Sequence, residues 1–202
     1  MKKNRMKKAA YVLLGGVVMM MMSTVSAKDS EKVLIAYFSR AGENYNVGYL
    51  KVGNTAVMAG YIHERLSGSD IFKIEPVVPY PDKYDECTEV AKKEQREDAR
   101  PGVKTHIADI NKYDVIYIGY PIWWGTMPQM MFTFLEEYNL GGKTIVPFCT
   151  HEGSGFGRSV NDLKKKCPKS KFLDGLAVRG SDVKKAQKEV NAWIDKTMKA
   201  VK

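Results

Sequence analysis

The chain has 202 residues, a formal net charge of +9, 44% hydrophobic residues and three cysteines. Its excess of base sits at the amino terminus: removing residues 1–27, which hold five positive charges and no acid, leaves 175 residues at +4. That remainder suits one well-filled domain rather than two, shows no basic stripe or motif for nucleic acid, and has an odd cysteine count that excludes a fully paired disulfide scaffold.

Lys2, Lys3, Arg5, Lys7 and Lys8 precede an apolar to weakly polar run over residues 9–22, and Val25 and Ala27 occupy the two positions that a signal peptidase tests. Residues 1–27 therefore read as a signal peptide and 28–202 as the exported domain, periplasmic or extracellular. The run is shorter than the roughly 20 apolar residues of a membrane span. No Cys follows it and no Arg-Arg pair precedes it, so the expectation is export as an unfolded chain, with any cofactor acquired afterwards.

Residues 33–38 are uninterruptedly apolar and stop at Ser39, Arg40, Ala41 and Gly42, the habit of a strand buried on both faces of a parallel sheet. An irregular stretch then leads through Gly53, Asn54 and Thr55 into a helix over 55–66, with Met58 or Ala59, Ile62 and Leu66 on one face. Residues 70–75 read as a second strand ended by Pro76 and the Pro79-Tyr80-Pro81 turn, and the charged stretch 83–100 as a solvated crossover helix. A third strand over 115–118 runs into a loop over 119–125 and a helix over 128–138 with Pro128 in its first turn. Residues 143–149 form a fourth strand in which Pro147, lacking a ladder donor, demands an irregularity. A loop over 150–155, a helix over 157–166, a Gly-interrupted strand over 172–178 and an amphipathic helix over 183–198 complete the chain. Strand-helix alternation with right-handed crossovers predicts an open, doubly wound parallel α/β sheet.

Ligands of such sheets bind beyond the carboxyl ends of the strands, where three unusual loops gather. The first joins Ser39 to a helix entrance at Gly53-Asn54-Thr55; free amides and hydroxyls there suit a phosphate, and a plain glycine turn with a helix cap is the competing reading. The second carries Trp123 and Trp124 between Pro121 and Gly125. Two consecutive indoles are hard to bury on opposite sides, so at least one is expected to face a planar ligand rather than serve as core filler. In the third, Gly153 and Gly155 allow backbone groups to approach a ring edge. His151 is the nearby candidate for protonating a bound ligand or substrate, against the simpler reading that it bonds its own loop, and Glu152 either charges the site or caps a turn. Cys149 reads as a buried hydrophobe, a Cys87–Cys167 bridge stays open, and the histidines and cysteines lack metal-ligand spacing.

The segments 37–42, 53–55, 119–125 and 147–155, in this order, make residues 32–198 resemble the flavodoxin-like FMN-binding proteins. The resemblance implies a five-stranded sheet in the order 2-1-3-4-5 with FMN at its first and third strands. Ser39, Gly53, Asn54, Thr55 and Ala56 would receive the phosphate, with Arg40 and Ala41 beside them; whether Arg40 gives charge to the phosphate or faces solvent stays open. Pro121, Ile122, Trp123, Trp124 and Gly125 would pass the isoalloxazine, one Trp stacking on it, and Thr150, His151, Glu152, Gly153 and Gly155 would contact its other edge. Two departures stand out: residues 43–52 interrupt the phosphate loop, either folding outward or covering the ligand with Tyr45 and Tyr49, and the domain lacks the acidic character of ordinary flavodoxins. The function expected is FMN-dependent reduction of a quinone or other small acceptor by NAD(P)H, with no assigned catalytic residue or metal. A protein electron carrier and a non-redox binding protein are the alternatives.

Overall fold

Continuously apolar strands, buried on both faces, organise the sheet. In the computed structural model, which describes residues 31–201, the chain runs through β1 (Val33–Tyr37), β2 (Gly42–Asn44), β3 (Gly48–Leu50), α1 (Asn54–Arg65), β4 (Asp70–Lys73), α2 (Tyr84–Arg96), β5 (Val115–Pro121), α3 (Gln129–Glu137), β6 (Thr144–His151), α4 (Ser159–Lys166), β7 (Lys171–Phe172), β8 (Leu176–Arg179) and α5 (Gln187–Val201). The predicted signal peptide lies outside the described residues. No helix among the described residues is long and apolar enough to cross a membrane.

The main sheet is ordered β4-β1-β5-β6-β7, with β8 continuing the fifth position beside β6, and every pairing in it is parallel. Counted by position, this is the 2-1-3-4-5 order. Successive residues of a strand point to opposite faces. Val33 and Ile35 of β1, Val115 and Tyr117 of β5 and Val146 and Phe148 of β6 pack with Met58, Ala59 and Ile62 of α1 and Val190, Trp193 and Ile194 of α5. Leu34, Ala36, Ile116, Ile118, Tyr120 and Ile145 take the other face, with Met130, Met131, Phe134 and Leu135 of α3 and Leu163 of α4. Buried phenols are satisfied: Tyr117 Oη lies 2.7 Å from Thr197 Oγ1, and Tyr120 donates to Ser159 Oγ at 3.1 Å.

The irregularity demanded by Pro147 lies in its neighbour strand. Pro147 pairs with Ile118 of β5 on one side, while on the other it meets the gap between β7 and β8, where Gly175 approaches its carbonyl so closely that a Cβ there would lie 2.6 Å away. The third and fourth strands run further than expected, to Pro121 and His151, so the first residues of both functional loops are strand residues held by the ladder. The polar helix is shorter than the expected 83–100: α2 ends at Arg96, just before Asp98 at φ 46°. The last helix starts at Gln187, after a 3-10 turn over Gly180–Lys185. Cys87, Cys149 and Cys167 are all free and buried, so the Cys87–Cys167 bridge does not form.

The stretch expected to be irregular forms an antiparallel hairpin. Gly42 pairs with Leu50, Glu43 with Tyr49 and Asn44 with Gly48, with Asn46 and Gly48 at positive φ around the tip. The hairpin is strapped to the turn before α2: Arg40 donates to the carbonyls of Pro81, Asp82 and Glu43 at 2.5 to 2.9 Å, and the Glu43 amide donates to Asp82 O at 2.9 Å.

Candidate functional site

At the carboxyl ends of β1, β5 and β6 lies a cleft of about 310 Å³. Its first wall is the start of α1. Gly53 precedes the helix in extended conformation with no side-chain cap, no acid stands in the first turn, and the Asn54 and Thr55 amides have no intrahelical acceptor. Ser39 Oγ accepts the Ala56 amide at 3.0 Å, which holds the hydroxyl against the helix entrance. A Cβ on Gly53 would lie 2.3 Å from Arg40 O and 2.4 Å from Ser39 Oγ. The two halves of the interrupted loop therefore close on each other, with the hairpin leaving from between them. Helix-end amides without partners attract an anion, and this cradle fits a phosphate.

Two loops build the second wall. Trp123, Trp124, Gly125 and Thr126 form a tight turn closed by reciprocal bonds between Trp123 and Thr126 at 2.8 and 3.1 Å, with Trp124 at φ 48° and Gly125 at φ 79°. Two positive φ values are the signature of a type I′ turn, and for a bulky indole the conformation is strained. Trp124 is nevertheless 49% exposed, its Nε1 donating to Thr88 O at 3.1 Å and Lys92 Nζ lying 5.5 Å from its ring. Trp123 is half-buried, edge-on to Phe38 at 5.6 Å and to Tyr80 at 4.8 Å. Both indoles line the cleft, one anchored to the core and one open to solvent.

The third loop is tied to the first by Thr55 and Thr150, whose buried hydroxyl oxygens lie 2.9 Å apart. His151 Nδ1 accepts the Gly153 amide at 2.9 Å, so the proton of the neutral ring is on Nε2. Burial, reinforced by Arg179, holds His151 below the ordinary imidazole value against the opposing charge of Glu152. The side chain is a neutral hydrogen-bond donor. Glu152 pairs with Arg179 at 3.5 Å and approaches Asn54 across Gly180, where a Cβ would lie 2.2 Å from Glu152 Oε1 and 2.6 Å from Asn54 Nδ2. Burial pushes the Cys87 thiol up to about 11, so it lines the cleft as a protonated group.

Of the residues singled out in the sequence, Ser39, Arg40, Asn54, Thr55, Pro121, Ile122, Trp123, Trp124, Gly125, Thr150, His151 and Glu152 line the cleft. Gly53 and Ala56 do not line it but shape the helix entrance. Ala41 is exposed at the root of the hairpin, the Gly153 amide is spent on His151, and Gly155 O accepts the Cys149 thiol at 3.7 Å; none of these three lines the cleft. The Arg40 guanidinium is turned to backbone carbonyls, an alternative to both phosphate and solvent. The cleft also takes Asn44, Tyr45 and Val47 from the hairpin, Tyr84, Cys87, Thr88 and Ala91 from α2, Ser154 and Gly180. Of these, Tyr45 had a signal in the sequence as part of the interrupted phosphate loop, and Ser154 as a member of the Gly-rich third loop.

The flavodoxin family model matches residues 32–197. No curated protein matches the chain. Among solved structures, a Bacteroides eggerthii DSM 20697 protein assigned as a flavoprotein is 33% identical, covers 82% of this chain and 97% of its own, and superposes with a TM-score of 0.67. A Bacteroides uniformis ATCC 8492 protein with the same assignment is 27% identical over 82% and 98% of the two chains, with a TM-score of 0.66. A flavoprotein from Lactobacillus acidophilus NCFM, in complex with FMN, is 23% identical over 77% and 98%, with a TM-score of 0.60, and shares the fold. With its parallel 2-1-3-4-5 sheet and a match over nearly all of the described residues, the chain belongs to the flavodoxin family.

Proposed function

We propose that the protein binds FMN and acts as an oxidoreductase, taking electrons from NAD(P)H and giving them to a quinone or another small acceptor. One observation carries the reading: a single cleft combines an uncapped helix start with a half-exposed indole in a strained turn. The first suits a phosphate and the second a flat ring. Family membership and the FMN complex of the Lactobacillus acidophilus relative support the same cofactor. When bound, FMN supplies two-electron chemistry that accepts a hydride from the donor and reduces the acceptor.

The chain's part is binding and tuning. The Asn54 and Thr55 amides with Ser39 would hold the phosphate, and Trp123 and Trp124 line the space that a flat ring would take, one of them stacking on it. His151, neutral and with no hydrogen bond from Nε2–H among the described residues, offers a donor to an electron-rich ring edge instead of acting as a general acid. Residues 1–27 are assigned to export, so that FMN is taken up after translocation; amino-terminal sequencing of the exported protein should find Lys28 first.

The test is an anaerobic FMN titration followed by Trp fluorescence, then addition of NADH or NADPH. One-to-one saturation followed by nicotinamide-dependent bleaching of the flavin is expected. Saturation without bleaching would favour a protein electron carrier, and folded protein that does not saturate would overturn the redox reading.

A further inference from the structure

Resting on the reading of the cleft as an FMN site, we propose that hairpin β2–β3 and the start of α2 form a separate subsite for the acceptor, and that this acceptor is a flat, uncharged aromatic ring of the quinone class. Neither the phosphate cradle nor the two ring loops requires the hairpin, yet Asn44, Tyr45 and Val47 line the cleft. Tyr45 is 56% exposed and stacks on Tyr84, with ring centroids 5.9 Å apart and planes at 29°. An exposed ring stacked on a half-buried one in the lining of a cleft offers apolar area to a ligand rather than to the core. Tyr49 of the same hairpin is 64% exposed and lies outside the cleft, so the hairpin directs one of its two tyrosines to the site.

The wall is built in place. Arg40 bridges three carbonyls of the hairpin and the turn before α2, and Gly42, at φ 90°, packs so closely that a Cβ would lie 2.4 Å from Asp82 Oδ1. A preorganised surface spares a ligand the cost of ordering it.

Charge argues for a neutral occupant. Two helices begin at this cleft, and only α1 has a first turn without acid. The start of α2 is ringed by carboxylates, Asp85 and Glu86 in its first turn and Glu43, whose Oε2 accepts the Tyr84 amide at 3.2 Å. The two charged side chains on the lining are engaged as well, Arg40 with carbonyls and Glu152 with Arg179. With the cofactor phosphate on α1, a second anion meets the acids at the start of α2, and the guanidinium on the lining, Arg40, already spends four N–H bonds on carbonyls.

The experiment compares the wild type with Tyr45→Ala and Tyr45→Phe. FMN affinity is measured first, by Trp quenching. Binding of menadione and of anthraquinone-2-sulfonate to the oxidised, FMN-loaded proteins is then measured from flavin absorbance at equilibrium, without a donor. The expected result is menadione binding at least about fivefold weaker in Tyr45→Ala and restored in Tyr45→Phe, with FMN affinity within about twofold of wild type, and the sulfonate at least about fivefold weaker than menadione on the wild type. Loss of FMN affinity in Tyr45→Ala without a separate loss of menadione would overturn the proposal by assigning the hairpin to the flavin. Unchanged menadione binding, or a sulfonate bound as tightly as menadione, would overturn it too. A wild type that binds no FMN fails at the first measurement, which removes the cofactor reading and the subsite with it.

Discussion

Two helices start at the cleft, and they start differently. At α1 the residue before the helix is a glycine without a cap, the first turn holds no acid, and beyond the Ala56 amide, bonded to Ser39 Oγ, the Asn54 and Thr55 amides have no partner among the described residues. At α2 Asp85 and Glu86 stand in the first turn and Glu43 reaches over from the hairpin to accept the Tyr84 amide. The helix dipole and the free amides are physically the same at both ends. What separates a ligand site from architecture is the charge placed around those amides: α1, with no acid in its first turn, is left open to an anion, while α2 is closed to one by Asp85, Glu86 and the inserted hairpin's Glu43.

The largest expected effect comes from crowding the open end. Gly53→Ala drives a methyl group into Arg40 O and Ser39 Oγ, and should weaken FMN binding by about 100-fold, roughly 3 kcal/mol, in a titration. Trp124→Asn comes next. Asn tolerates the left-handed conformation that strains an indole, so thermal stability without ligand should hold or rise, while FMN affinity falls about tenfold. Opposite movements of melting temperature and affinity would mark the turn as strained for its ligand; a parallel loss of both would mean that Trp124 is core.

Acidification probes the third loop. Because the folded protein holds His151 neutral more firmly than the unfolded chain does, its contribution is complete above about pH 6.5 and declines as the pH falls through the lowered folded value. Protonation also ends the Gly153 N–H to Nδ1 bond. Melting temperature and FMN affinity should both fall below pH 6.5 in the wild type, and His151→Gln should flatten that dependence. The smallest effect belongs to the closed end: Glu43→Gln weakens the cap on α2 and should cost about 0.3–1 kcal/mol in chemical denaturation, with FMN affinity within about twofold of wild type. An equal loss of FMN affinity at both ends would erase the distinction between them.

Local chemistry in the chain was enough to place the alternating elements, the break opposite Pro147, and the three loops that hold Ser39, Trp123, Trp124 and Thr150. Apolar runs, prolines and glycines act over a few residues and are legible one after another. The strand order came from matching loop motifs to a family, and the ladder of β4, β1, β5, β6 and β7 agrees with it.

Other features depended on residues meeting across the chain. The polar pattern of α2 reads as a solvated crossover, yet one stripe of it, Tyr84, Cys87, Thr88 and Ala91, faces the cleft. Arg40 shows a free charge in the sequence, and its three carbonyl partners appear only when Pro81 and Asp82 fold beside it. Gly180 is an ordinary glycine until Asn54 and Glu152 converge on it from distant segments. Periodicity records which face of an element is apolar; only the folded chain shows which polar face another segment covers, and which amides it leaves for a ligand.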